Sequence, residues 1–103
     1  MAKKINYNFL EELFFKIEQR DKSKEINSYT KSLLKKGKNK IAQKIGEESS
    51  ELIIDYLNGS KKRVIEEASD LLYHLMVLLY SKKISVKEIE KELTKRKKNV
   101  QQR

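Results

Sequence analysis

Apolar residues recur every three to four positions along most of the chain, a spacing that predicts amphipathic helices separated by short polar segments. The first helix is expected over about 8–20, where Asn8 and Glu11 stand in the positions of a capping box. The polar stretch 21–27 is expected to form a loop before the next helix.

A short second helix is expected over 28–36, with Ser28 as its N-cap and Gly37 ending it. Asn39 is a suitable N-cap for a longer third helix that runs to about 57. Residues at helical spacing give this third helix an apolar stripe: Ile41, Ile45, Leu52 and Tyr56, widened by Ile53 and Ile54.

The dipeptide Asn58-Gly59 is a strong turn signal. A fourth helix is expected to open at Ser60 and to run to about position 81. It is the most apolar helix of the chain, so we expect it at the centre of the fold. Ser85 and Glu88 form a second capping-box pattern, which predicts a fifth helix.

The composition favours an all-α fold, because proline is absent, only three glycines occur, and leucine, isoleucine, lysine and glutamate dominate. We predict one domain over 1–103, built as an antiparallel helical bundle of four to five helices, with a polar tail at about 95–103 that frays. A chain of 103 residues buries a modest core. We therefore expect dimerisation to complete the bundle.

Several classes of protein are disfavoured by what the sequence lacks. It has no cysteine, which excludes disulfides and thiolate metal sites, and its single histidine argues against zinc. No apolar run is long enough to span a membrane, and positions 1–6 lack the apolar core of a signal peptide. A soluble, cytoplasmic protein is the expectation.

The net charge of +9 raises the possibility of nucleic-acid binding. The lysines, however, are scattered over the whole chain, as expected if they solvate helix surfaces. A small basic helical dimer that binds nucleic acid is kept as an alternative, and it would have no use for a central acidic cluster.

The acidic residues, in contrast, are concentrated in two clusters, at 47–51 and 66–70. Between positions 47 and 70 there are seven acidic residues and only three basic ones, so this window is negative inside a positive protein. Carboxylates three or four residues apart on a helix repel one another. A hard divalent cation with oxygen ligands is the obvious compensation.

The predicted turn brings these two clusters together. Glu48 and Glu51 share one helix face, as do Glu67 and Asp70 on the next helix. Glu48 lies about as far before the turn as Asp70 lies after it, so antiparallel packing places the four carboxylates at one level of the bundle. We predict a metal site there. The alternative is that these carboxylates form salt bridges with Lys44 and with 61–63, or are simply solvated.

A site of this kind suits Mg²⁺, which is held by a few carboxylates and keeps positions open for water and phosphate oxygens. Such an ion can neutralise charge as it develops on a phosphate and can lower the pKa of a bound water molecule. Hydrolysis within a polyphosphate chain is the chemistry that fits.

The motifs also carry a resemblance to a known family. Glu47-Glu48-x-x-Glu51 followed by Glu67-x-x-Asp70 resembles the metal-binding signature of the all-α (MazG-like) nucleotide pyrophosphohydrolases. Further motifs make the chain similar to the phosphoribosyl-ATP pyrophosphohydrolase family, over about 10–96: Ser-Tyr-Thr at 28–30, Leu-Leu at 33–34, Gly37, Lys-Ile-Gly-Glu-Glu at 44–48 and the run from 66 to 75 that contains Asp-Leu-Leu-Tyr-His.

The resemblance implies hydrolysis of 1-(5-phosphoribosyl)-ATP to 1-(5-phosphoribosyl)-AMP and pyrophosphate, the second step of histidine biosynthesis, with Mg²⁺ required. It implies a homodimer whose two subunits build the bundle together, and a separate phosphoribosyl-AMP cyclohydrolase as a functional partner. A housecleaning pyrophosphohydrolase for other nucleoside triphosphates is the alternative within the superfamily. The Ser-Tyr-Thr and Tyr-His features argue against it.

By motif position, the resemblance assigns the metal ligands and one catalytic partner. Glu48, Glu51, Glu67 and Asp70 would hold the metal, and Glu47 would be a further ligand or would orient the attacking water. Glu47 and Glu48 are therefore the candidate catalytic pair, and adjacent glutamates cannot be ranked from sequence.

Five further residues have both a functional and a structural interpretation. Lys44 would reach substrate phosphate or pair with Glu48 one turn on. Ser28, Tyr29 and Thr30 would contact the substrate, or would form an N-cap and a packing contact. His74 would be structural, or would hydrogen-bond a metal-ligating carboxylate without binding the metal itself.

Overall fold

Within residues 8–97, the part of the chain that the computed structural model describes, five α-helices form and no strand does. They are α1 (Phe9–Lys22), α2 (Tyr29–Lys36), α3 (Lys38–Asn58), α4 (Lys61–Ser81) and α5 (Val86–Lys95). The predicted all-α fold is confirmed. The expectation of a frayed tail concerns mainly residues 98–103, which lie outside the described residues. None of the helices in 8–97 combines the length and apolarity needed to traverse a lipid bilayer.

Three serine caps fix where helices begin, as predicted. The Ser28 hydroxyl accepts the backbone N–H of Lys31 at 3.2 Å, and Ser60 caps α4 in the same way. Ser85 and Glu88 form the complete capping box, in which the Glu88 carboxylate accepts the Ser85 backbone N–H at 2.9 Å. Each cap satisfies a backbone donor that the first turn of a helix leaves free.

Two predicted caps differ from the structure. Asn8 occupies the N-cap position of α1 as predicted, but its side chain makes no capping hydrogen bond, so the predicted capping box does not form. Asn39 lies inside α3, because the helix begins at Lys38, two residues earlier than predicted, and Gly37 takes the N-cap position. Gly37 has φ +93°, a conformation that favours glycine, and its carbonyl accepts the Ile41 N–H at 3.1 Å. One glycine thus ends α2 and starts α3, which keeps the two helices adjacent.

The first helix ends two residues later than predicted. The Lys22 ammonium pairs with Glu18 at 3.2 Å across this last turn. Asp21 accepts the hydroxyl proton of Tyr80 at 2.6 Å, and the Tyr80 ring stands edge-on to Phe14 with 5.8 Å between ring centroids. These contacts fasten the end of α1 to α4, so the turn that the polar sequence suggested as loop remains helical.

The apolar core is shared by the first four helices. α4 packs against α1, α2 and α3, so the prediction that it is the central helix is confirmed. The fully buried apolar side chains are Ile17, Leu33, Ile41, Met76, Val77 and Leu79. Because every one of α1 to α4 contributes to this set, the position of α4 relative to α2 and α3 is fixed by packing.

Part of the predicted apolar stripe is not covered within the chain. On α3 and α4, several large apolar side chains are largely exposed, with Tyr56 at 75% and Leu57 at 68%. We call this set the apolar face: Ile53, Ile54, Tyr56, Leu57, Ile65, Leu72 and Leu75. An exposed apolar patch of this extent is typical of an interaction surface.

The Tyr80–Asp21 hydrogen bond yields a stability prediction. Hydrogen bonding to Asp21, with burial and the negative charges of Asp21 and Glu18, raises the pKa of Tyr80 to about 12 from 10.0. We expect Tyr80→Phe to lower the free energy of unfolding by about 1 kcal/mol at neutral pH, because it removes one hydrogen bond to a charged acceptor.

The pH dependence gives a second readout of the same bond. A folded-state pKa above the unfolded value contributes stability below pH 10 that is lost as the pH rises towards about 12. The difference between wild type and Tyr80→Phe in urea unfolding should therefore shrink over that range. A difference that persists unchanged through it would contradict the role given to the hydroxyl.

Candidate metal and substrate site

Three carboxylates from the α3–α4 hairpin converge at one level. Glu48, Glu67 and Asp70 each present an oxygen, and these oxygens lie within 4.8 Å of one another. The short link through Gly59 and Ser60 makes α3 and α4 adjacent and antiparallel, as the turn signal predicts. The structure therefore brings together three of the four residues that the sequence assigns to a metal.

Burial makes this cluster costly without a compensating charge. Glu48 and Glu67 are both buried, whereas Asp70 is exposed. The Glu67 Oε2 atom accepts from the Arg63 guanidinium at 2.9 Å. The other oxygen, Oε1, is buried and has no hydrogen-bond partner among the residues described. A buried carboxylate oxygen without a donor is destabilising, and a cation at this point would satisfy it.

Glu51, the fourth expected ligand, lies next to the cluster rather than inside it. It is exposed, and its oxygens are not among the three that converge. Burial, the neighbouring Glu51 carboxyl and the charge of Asp70 raise the pKa of Glu67, against the opposing charge of Arg63. The folded protein therefore holds this proton more tightly than the unfolded chain. This contribution to stability is present at low pH and is lost as the pH rises through the raised pKa.

Arg63 supplies the main positive charge on α4. Its guanidinium lies 2.9 Å from Glu67, 3.1 Å from Glu66 and 3.6 Å from Asp55 across the hairpin. One positive charge is thus shared by three carboxylates, so Arg63 neutralises only part of the negative charge around it. The i, i+4 spacing of Arg63 and Glu67 was visible in the sequence, but the contact to Asp55 depends on the hairpin geometry.

Lys44 takes the corresponding place on α3. Its ammonium lies 3.4 Å from Glu47 and 3.5 Å from Glu48, so the salt-bridge alternative is realised here. Desolvation alone would lower the pKa of Lys44, but Tyr29, Glu47 and Glu48 outweigh it and raise the pKa. Lys44 therefore stays charged at neutral pH, at the rim of the carboxylate cluster.

Glu47 faces solvent instead of the cluster. It accepts a hydrogen bond from the Gln43 side-chain amide at 2.9 Å. That bond, followed by the hydrogen bond to Lys44 and the charges of Lys44 and Lys40, lowers the pKa of Glu47. Glu47 is consequently an ionised carboxylate beside the cluster, able to accept hydrogen bonds.

His74 joins α2 to the carboxylate helix. Its Nδ1 lies 2.7 Å from the main-chain oxygen of Asp70, and its Nε2 lies 2.8 Å from the Tyr29 hydroxyl. A carbonyl oxygen only accepts, so Nδ1 carries the proton, and the Tyr29 hydroxyl donates to Nε2 of the neutral ring. The ring of buried His74 therefore hydrogen-bonds the Asp70 backbone, and within residues 8–97 it bonds no carboxylate side chain.

The Ser-Tyr-Thr segment divides into buried and exposed members. Ser28 is buried and caps α2, and Thr30 is buried with its hydroxyl bonded to that of Tyr73. Tyr29 between them is about half exposed. Burial, the charges of Glu48 and Glu47 and the neighbouring Tyr73 raise the pKa of Tyr29, against Lys44. Only Tyr29 of the three presents a substantial surface next to the carboxylates.

The donor set fits a hard divalent cation. All the converging atoms are carboxylate oxygens, two of the three residues are buried, and one buried oxygen lacks any donor among residues 8–97. Oxygen-only sites of this kind suit Mg²⁺, Ca²⁺ or Mn²⁺. The helical hairpin and its acidic cluster define a class: an all-α protein with a carboxylate site suited to a cation.

Comparison with known proteins makes the assignment specific. A family model described as phosphoribosyl-ATP pyrophosphohydrolase matches residues 10–97. The chain belongs to the phosphoribosyl-ATP pyrophosphohydrolase family. The resemblance drawn from the sequence motifs is thereby confirmed.

Three relatives illustrate the extent of the likeness. The phosphoribosyl-ATP pyrophosphatase of Bacillus cytotoxicus is 48% identical over 87 residues, covering 84% of this chain and 81% of that protein. Its counterpart in Sulfolobus acidocaldarius is 44% identical over 91 residues, covering 88% and 96%. The histidine biosynthesis bifunctional protein HisIE of Buchnera aphidicola is 43% identical over 97 residues, covering 94% of this chain and 45% of that protein.

The charges around Glu67 predict opposite effects of two substitutions. We expect Glu51→Gln to lower the pKa of Glu67, because a neighbouring negative charge is removed. Arg63→Gln should raise it, because the compensating cation is lost. Carbon-13 NMR titration of the glutamate carboxyl carbons in metal-free protein measures both shifts. Glu90→Gln, on α5, is the control, and shifts in the same direction for both variants would contradict the arrangement.

Proposed function

We propose that this chain hydrolyses 1-(5-phosphoribosyl)-ATP to 1-(5-phosphoribosyl)-AMP and pyrophosphate, the second step of histidine biosynthesis. The observation that carries the proposal is the convergence of three carboxylates on one hairpin, in a chain of this family. The products require that the bridge between the α- and β-phosphates breaks, with water supplying the oxygen that replaces it. The substrate bears four phosphates and does not cross a bilayer, so we place the reaction in the cytoplasm.

The metal in this proposal is Mg²⁺. Glu48, Glu67 and Asp70 would hold it, with Glu51 adjacent to complete the ligand set. When bound, Mg²⁺ neutralises charge developing on the phosphate oxygens and orients the polyphosphate. The unpartnered Glu67 oxygen supports this assignment, because it needs a positive partner that residues 8–97 do not supply.

The residues at the rim divide the remaining tasks. Glu47 is ionised and exposed, so it is suited to orient the attacking water as a hydrogen-bond acceptor, while its lowered pKa makes it a weak base. Lys44 is a charged group beside Glu48 and would bind a substrate phosphate as a point charge. Tyr29 would contact the substrate directly. Ser28 and Thr30 would hold the first turn of α2 in place and so fix the position of Tyr29.

The apolar face supports a homodimer. Its residues lie on α3 and α4, the same two helices that carry the carboxylates. On α4, Ile65, Leu72 and Leu75 follow helical spacing, which suits packing against another helix. A second copy would present an identical apolar face, so a two-fold interface can bury both.

We further propose a phosphoribosyl-AMP cyclohydrolase as the functional partner that consumes the product. The bifunctional histidine-biosynthesis relative, of which this chain matches less than half, supports a close link between this activity and another in the same pathway.

The first test offers the purified protein several substrates with Mg²⁺. We expect pyrophosphate release from phosphoribosyl-ATP, with ATP, dATP and dUTP much poorer, and no release when EDTA removes the metal. Release from dATP or dUTP but not from phosphoribosyl-ATP would instead indicate a housecleaning pyrophosphohydrolase. Nucleic-acid binding without pyrophosphate release from any of them would favour the basic helical dimer.

The second test concerns the ligand set. Glu48→Gln should lower turnover at least about 100-fold, the upper end of the loss seen for residues that merely support metal ligands. Glu90→Gln removes a charge from exposed α5 and should change turnover by no more than about twofold. Circular dichroism checks that helicity is retained. Full turnover in Glu48→Gln would remove this residue from the site.

The third test addresses the dimer. Analytical ultracentrifugation should give a mass of about twice 12.2 kDa for the wild type. Ile54→Glu places a charge on the apolar face and should yield monomers. The matched control is Ile26→Glu, at a position 90% exposed in the loop between α1 and α2. A monomeric wild type, or dimers that survive Ile54→Glu, would contradict the proposed interface.

A further inference from the structure

A small cavity beside the first turn of α2 combines two cations with three hydroxyl groups. Lys16 and Arg20 are four residues apart and so share one face of α1, and the hydroxyls belong to Tyr29, Thr30 and Tyr73. Its volume of about 180 Å³ is below the range of about 300–1,000 Å³ usual for complete small-molecule sites. The cavity therefore suits a fragment such as a phosphate on a sugar.

Among the described residues, the two cations have no anionic partner. Within residues 8–97, no carboxylate lies within ion-pair distance of Lys16 or Arg20. Like charges four residues apart on a helix repel one another. A phosphate between them would relieve that repulsion. One of the two protons of the bonded Thr30 and Tyr73 hydroxyls is not used in the bond between them, and it can donate a further hydrogen bond to the phosphate.

This cavity is linked to the carboxylate site through the hydrogen bonds of one side chain that lines it. Tyr29 lines the cavity, and its hydroxyl donates to Nε2 of His74 at 2.8 Å. His74 in turn bonds the main-chain oxygen of Asp70 at 2.7 Å. The charge of Lys44, at the rim of the cluster, also acts on the Tyr29 hydroxyl. A single ligand that lies along Tyr29 can therefore reach both places.

The substrate of the proposed function has phosphates at two separate ends. One end is the triphosphate, which the carboxylates and their cation would receive. The other is the single phosphate of the phosphoribosyl group attached at position 1 of the adenine. That second phosphate is what distinguishes phosphoribosyl-ATP from ATP, and it needs a cationic site of its own.

We infer that Lys16 and Arg20 bind the phosphate of the phosphoribosyl group and set the preference for phosphoribosyl-ATP over ATP. This inference rests on the proposed function. Arg20 is suited to grip the phosphate with two parallel N–H donors, and Lys16 adds a point charge beside it. Thr30 and Tyr73, whose hydroxyls are bonded to each other, form the wall behind them.

The test compares steady-state kinetics of the wild type with those of the double variant Lys16→Ala/Arg20→Ala. We expect KM for phosphoribosyl-ATP to rise at least about tenfold, because at least one charge-assisted hydrogen bond to the substrate is lost. The factor by which KM rises should exceed the factor by which kcat falls. Arg20→Lys should recover part of the loss. Ribose 5-phosphate should inhibit the wild type competitively, and this inhibition should be lost in the double variant.

A charge-matched control separates this effect from a change in net charge. Lys91→Ala/Lys95→Ala removes two exposed cations, also four residues apart, from α5, which does not line the cavity. It should leave KM unchanged. An active wild type whose KM is unaltered by Lys16→Ala/Arg20→Ala would overturn the subsite alone. A wild type with no activity on phosphoribosyl-ATP would overturn the proposed function and the subsite with it.

Discussion

Repulsion among carboxylates on the facing sides of α3 and α4 is the interaction on which the site depends. Glu48 and Glu67 are buried at the same level of the hairpin, and Asp70 completes the group at its edge. A helix pair would be more stable with apolar residues in these positions. The fold retains buried like charges, and one of their oxygens has no donor among residues 8–97, which is understandable if the native state includes a cation.

The surrounding side chains limit this repulsion without cancelling it. Arg63 is divided among three carboxylates, and Lys44 among two. Of the three converging residues, Arg63 contacts Glu67 and Lys44 contacts Glu48. The bond from Tyr29 through His74 to the Asp70 backbone then ties the position of α2 to the cluster. The first turn of α2 thus contributes both to the carboxylate site and to the neighbouring cavity that Lys16 and Arg20 line.

Local signals in the sequence were sufficient for much of this arrangement. Serine caps and the Asn-Gly turn are short-range features, and they placed the helices and the hairpin register that aligns Glu48 with Asp70. The prediction that Asn39 caps α3 was wrong because the pattern of hydrophobic residues does not reveal the positive φ of Gly37, which lets α3 begin earlier. The carboxylate motif was likewise readable, since its residues are three apart on each helix.

Features that depend on tertiary contacts were not accessible in this way. The contact of Arg63 with Asp55 depends on the geometry of the hairpin. The bond of buried Thr30 to Tyr73 and the meeting of Arg20 with Tyr73 across a cavity join residues far apart in sequence. Periodicity also identifies apolar positions without saying what covers them. Tyr56 therefore looked like core, although its side chain is largely exposed in the single chain.

The most direct test of the account is to locate a cation in crystals of the protein grown with Mn²⁺, which accepts the same oxygen ligands as Mg²⁺ and scatters anomalously. The account predicts an anomalous peak among the oxygens of Glu48, Glu67 and Asp70, at about 2.0–2.2 Å from them, close to the distances usual for Mg²⁺. Well-ordered carboxylates with no peak between them, or a peak bound elsewhere on the chain, would contradict it.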